Sequence, residues 1–111
     1  MTTTTWLYRF KRWWKFLYQK LTRGFSDEET WNLDARLAEH ILPRLRRFKE
    51  VNRCSPMSMS FEEWNVALDQ MIFAFEWLAT DIVDREEGVE VWNKVQAGTE
   101  LFGKHYASLW W

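Results

Sequence analysis

The chain has 111 residues, nine of them tryptophan, an aromatic share of 18% and a net charge of −1. One domain is the natural count, with about two-thirds of the unfolded surface buried on folding. The lone Cys54 excludes an internal disulfide and a cysteine-cluster metal site, and six charged or amide side chains within residues 6–21 exclude a bilayer span there.

Residues 1–5 are a polar start, expected to be disordered. A first helix is predicted over Trp6–Thr22. At 100° per residue, Trp6, Leu7, Phe10, Trp13, Trp14, Leu17, Tyr18 and Leu21 gather on one side, opposite Lys11, Arg12, Lys15 and Gln19. Gly24 is placed to end this helix in a left-handed cap.

A second helix is predicted from Ser26 to about Val51. Ser26 and Glu29 have capping-box spacing, and Asp27 and Glu28 suit a helix N-terminus. Trp31, Ala38, Ile41, Leu42, Leu45 and Phe48 make its apolar face, and Pro43 should kink it. Asp34 falls in the middle of that face. A buried carboxylate needs a partner, and Arg44, which borders the same face, could be it within the fold or across an interface.

Residues 52–59 form the clearest loop. Ser60 and Glu63 make a second capping box, with Met59 and Trp64 at hydrophobic-staple positions. The third helix spans about Phe61–Thr80 with a stripe of Phe61, Trp64, Leu68, Met71, Ile72, Phe75 and Leu78. Val66, Phe73 and Trp77 give it a second apolar side. Asn65, Asp69 and Glu76 line one edge, read either as a seam network or as polar lining of a ligand pocket. A fourth helix is predicted over Val89–Leu109, where Gly98 and Gly103 would permit close helix approach. The chain ends in Trp110-Trp111, expected to dock rather than lie in water. Four glycines, two prolines and four helical stripes imply an all-α fold, a small bundle of about four helices in one domain over residues 1–111.

Charge is unevenly placed. Residues 1–25 hold six basic and no acidic residues, whereas residues 54–111 hold three basic and ten acidic ones. Either the two ends pair, within or between chains, or the basic end meets an anionic surface or ligand. The acidic half makes nucleic acid a poor partner.

Chemical motifs are sparse. His40 and His105 have no metal-binding spacing, and neither a phosphate loop nor a dinucleotide fingerprint is present. No enzyme, metal or cofactor is expected. So many aromatics in a small domain must lie partly at the surface, which points to binding.

The stretch from Arg23 through Asp34 (RGFSDEETWNLD), Ile41-Leu42-Pro43-Arg44-Leu45, Glu62-Glu63-Trp64-Asn65, and Lys94 through Tyr106 with Leu109-Trp110 resemble short accessory proteins of tailed phages. The resemblance implies a phage protein made in a bacterial cytoplasm and brings no activity with it. The run around Trp13-Trp14 and the Cys54–Met59 loop depart from the pattern.

Three binding roles follow as expectations. The first is sequestration of a nucleotide-type immune signal, countering host defence, in an aromatic and cationic pocket of Trp31, Asn32, Asp34, Arg44, Trp64, Asn65 and Asp69. The second is inhibition of a host or defence protein. The third is membrane-surface binding through the first helix. A homo-oligomer is expected as well, with Val66, Phe73, Trp77, Trp110 and Trp111 at its interface.

Overall fold

The computed structural model describes residues 3–110, with side chains from Trp6 to Trp110. The expectations for residues 1 and 2 and for Trp111 lie outside the described residues. The protein is an all-α bundle: α1 spans Thr3–Arg23, α2 Leu33–Val51, α3 Phe61–Ala79 and α4 Val89–Lys104. Short 3₁₀ turns occupy Asp27–Thr30 and Tyr106–Ser108. No strand forms among the described residues.

The chain divides into two compact units, Met1–Leu33 and Asp34–Trp111. The first holds α1 and the 3₁₀ turn. Helix α1 begins earlier than expected, so Thr3–Thr5 are helical rather than disordered. It ends at Gly24, whose φ of +86° is costly for other residues and whose amide bonds the Lys20 carbonyl at 3.0 Å.

The expected second helix is split, and the split lies at Trp31-Asn32. The Ser26–Glu29 capping box does form, with the Ser26 amide donating to the Glu29 carboxylate at 2.7 Å. It opens only a 3₁₀ turn. Asn32 then takes φ +49°, which reverses the backbone, and α2 starts afresh at Leu33. Asparagine tolerates that conformation better than most residues. Helix α2 continues through Pro43 to Val51. The proline removes only the amide that would have bonded the Glu39 carbonyl.

The second unit holds the core. Ala38 and Leu45 of α2 join Trp64, Ala67, Leu68, Met71 and Phe75 of α3 in one buried cluster, with Met59, Ile72, Leu101, Phe102 and Leu109 packed against it. The Ser60 hydroxyl accepts from the Glu63 amide at 3.1 Å and fixes where α3 begins. Two ion pairs, Lys49–Asp69 and Arg46–Glu76, tie α2 to α3. The acidic edge of α3 is therefore a helix seam. Helix α4 stops at Lys104, short of the expected Leu109, and a 3₁₀ turn carries the chain on.

Helices α3 and α4 meet most closely at Gly98. A Cβ there would fall on the Gln70 carbonyl oxygen and within 2.6 Å of Ala74 Cβ. Gly103 has open space instead, although the sequence suggested a close approach at both glycines. The two should respond oppositely to alanine. Gly98→Ala is expected to lower stability by about 1–3 kcal/mol through overpacking, whereas Gly103→Ala should raise it by about 0.5–1 kcal/mol through helix propensity. Urea denaturation of both variants checks the pair of signs.

Candidate functional site

Of the eight tryptophans whose side chains are described, only Trp64 is buried and Trp77 half-buried; the other six are exposed. The aromatic excess is thus a surface property, and it concentrates on α1. Trp6, Leu7, Phe10, Trp13, Trp14, Tyr18 and Leu21 are all exposed, from 44% at Leu7 to 77% at Leu21. With half-buried Leu17 they occupy one arc of roughly 140° on the helix. Trp6 stacks on Phe10 at 5.5 Å, Phe10 meets Trp14 edge-on at 6.0 Å, and Trp13 meets Trp14 at 5.0 Å. These contacts make a continuous aromatic sheet along the helix. Arg9 and Lys20 border one side of the arc and Lys11 the other.

The back of α1 is occupied by the chain's own 3₁₀ turn. Gln19 and the Asp27 segment exchange two hydrogen bonds of 2.6 Å, Nε2 to the Asp27 carboxylate and the Asp27 amide to Oε1. The same carboxylate pairs with Arg23 at 2.5 Å and stands 3.9 Å from the Lys15 amine. Trp31 packs edge-on against Phe16 at 5.5 Å, and the Arg12 guanidinium lies 4.2 Å from the centre of its ring. Between helix and turn is a cleft of about 670 Å³ lined by Tyr8, Lys11, Arg12, Lys15, Phe16, Asp27, Thr30 and Trp31.

The hydrogen bonds from Arg23 and Gln19 hold the Asp27 carboxyl below its ordinary value of 3.8. A depressed carboxyl stabilises the folded turn above the unfolded value, and that contribution is lost as pH falls through the folded one. In carboxyl ¹³C titration, Asp27 should titrate below 3.8 and the turn should loosen with it; Arg23→Gln should move the midpoint back up.

Within the second unit, Asp34, Arg44, Trp64, Asn65 and Asp69 do not line one common cavity. Trp31 and Asn32 belong to the first unit and the others to the second. Trp64 is a core residue, 1% exposed, packed edge-on against His105 at 5.4 Å. Asn65 donates to the Phe61 carbonyl at 3.0 Å on its own helix, and Asp69 is taken by Lys49. Arg44 bonds the His40 carbonyl at 2.8 Å and borders a mainly apolar groove of about 900 Å³ with Arg47, Phe48, Phe102 and Trp110.

Asp34 corrects the sequence reading most directly. It shares the helical face of Ala38 and Leu45 but is the second residue of α2, exposed in the first turn, and it forms no ion pair with Arg44. Asp34→Ala should therefore shift stability by no more than about 0.5 kcal/mol, as for other surface positions. A thermal melt that drops further would return Asp34 to a buried role.

The expected interface residues also divide. Val66 and Phe73 are exposed and flank a shallow groove with Asp69, Gln70, Lys94 and Ala97. Trp77 is covered by its own chain: its indole nitrogen donates to the Glu86 carbonyl at 2.8 Å, Arg85 lies 4.4 Å from its ring centre, and Trp92 packs beside it at 5.8 Å. Trp110 is exposed.

Sequence reasoning missed the cleft behind α1. Its signal was present, since Tyr8 and Phe16 are aromatics set among the cations of the polar face. No protein-family model, curated protein or solved structure matches this chain. Among the described residues no helix is long and apolar enough to cross a membrane, and no group of three or more His, Cys, Asp or Glu is placed to hold a metal ion.

Proposed function

We propose that the protein is a non-catalytic binding protein that attaches to anionic membrane surfaces through α1. The observation that carries this reading is the uncovered aromatic arc of α1 with basic residues along both borders. A helix with Trp, Phe and Leu on one face and Lys and Arg around the rest lies in the plane of the lipid headgroups with its apolar face sunk into the interface. Tryptophan and tyrosine suit that boundary, having an apolar body and a polar edge. The absence of acidic residues from residues 1–25 removes any repulsion from lipid phosphates. On the resemblance to phage accessory proteins, the surface would be the inner face of a bacterial envelope.

A nucleotide pocket built on Trp31, Asp34, Arg44 and Trp64 has less support, since Trp64 is buried in the core and Arg44 bonds its own helix. A second copy covering the α1 face is the competing occupant, and one experiment separates the two. The full chain should sediment with phosphatidylglycerol-containing vesicles, with a blue shift of tryptophan emission, and detach as salt is raised. Trp13→Ser/Trp14→Ser should weaken vesicle binding about tenfold or more, given the area each ring buries, and leave the unfolding transition of the second unit in place. A dimer that dissociates on the same double substitution, with no binding to vesicles, would overturn the membrane reading in favour of self-association.

A further inference from the structure

We propose that the cleft behind α1 binds a nucleoside phosphate. Apart from Lys11 at the border of the arc, its lining lies behind the aromatic arc, so it stands without the membrane reading. Its volume of about 670 Å³ falls within the usual range of small-molecule sites.

The lining has both halves of the required chemistry. Lys11, Arg12 and Lys15 are three cations within five residues, and Lys11 and Lys15 are one helical turn apart on the same side. Asp27 is the only carboxylate in the lining, and Arg23, from outside the cleft, already pairs with it. The cleft is therefore left with a positive surplus that a phosphate would neutralise. Lys15 is only loosely held, 3.9 Å from Asp27, and Lys11 forms no ion pair among the described residues.

Tyr8 and Trp31 supply aromatic walls, both exposed. Arg12 is laid against the Trp31 ring, 4.2 Å from its centre, and also approaches Phe16 at 5.3 Å. Bases stack on guanidinium groups as they do on aromatic rings, so Arg12 adds to the stacking surface. The Asp27 clamp fixes the turn, so the walls are set before a ligand arrives. The larger groove along α2 fits this ligand less well. Its walls are mainly apolar, and Arg47 is already paired with Glu50.

Calorimetry of the full chain, free of vesicles, tests the assignment with adenosine diphosphate, adenosine, pyrophosphate and glycerol 3-phosphate as probes. The diphosphate should bind in a 1:1 ratio. Adenosine and pyrophosphate, each carrying half of the chemistry, should bind at least about tenfold more weakly. Lys11→Gln/Lys15→Gln should reduce affinity about tenfold or more while circular dichroism is unchanged. Trp13→Ser/Trp14→Ser, on the other face of α1, should bind the diphosphate normally. Pyrophosphate or glycerol 3-phosphate binding as tightly as adenosine diphosphate would reduce the cleft to an anion or lipid-headgroup site and overturn the proposal. Absence of saturable binding, or binding lost only in the Trp13/Trp14 variant, would overturn it as well.

Discussion

The Asp27 carboxylate decides how the first unit presents itself. Gln19, Arg23 and Lys15 all converge on it from the back of α1. Trp31 docks on the same side, against Phe16 and Arg12. A 3₁₀ turn is a weak element, and a capping box alone does not hold it against a helix. Here the turn is held by charge-assisted bonds, which are about twice as strong as neutral ones. Because the turn takes the polar back of α1, the aromatic front is left without cover from it. A turn docked on the front would have hidden the tryptophans and left Arg12, half-buried here against Trp31, in water.

Burial is divided along the same boundary. Among the described residues every buried apolar side chain belongs to the second unit, and Ser26 is the only buried residue in the first. The second unit satisfies itself. Gly98 lets α4 settle against α3, Ser60 starts α3 at the right residue, and ion pairs close the seam to α2. The first unit has aromatic side chains in quantity and almost nowhere of its own to bury them. Ring–ring contacts along α1 offset a part of that, at about 0.5–1.5 kcal/mol per pair beyond area burial. Much of the apolar area is still in water, more than scattered surface hydrophobes explain.

What the sequence revealed was governed by local patterns. The stripe on α3 and the Ser60 cap depend on neighbours within one turn, and both appear where the spacing puts them, the cap through the Glu63 amide. The arc of α1 was legible for the same reason. The break at Trp31-Asn32 was not, because the Ser26–Glu29 box looks the same whether it opens a helix or a 3₁₀ turn. The outcome is decided by Trp31 packing on Phe16, fifteen positions earlier, and by Gln19 reaching Asp27 eight positions on. Asp34 was misplaced through that break: it has the phase of the buried face, but the break makes it the second residue of α2, exposed in the first turn rather than one turn inside a longer helix. Trp77 looked unpartnered because Arg85 and Glu86, which engage it, lie in a loop with no periodicity to place them.

The two faces of α1 ask for different chemistry, and one sequence supplies both through the spacing of its cations. Arg12 and Lys15 fall behind the helix, beside Tyr8 and Phe16, and with Lys11 at the edge of the arc they line a cleft. Arg9 and Lys20 fall at the border of the aromatic arc, where they stand level with any charged surface the arc enters. Long basic side chains bury their stems and keep their charge in water, so those at the border serve an interface without entering it. A helix with the same composition but cations spread evenly would do neither well. It would place charge within the aromatic arc, where desolvation is costly, and leave too few cations behind to hold a phosphate.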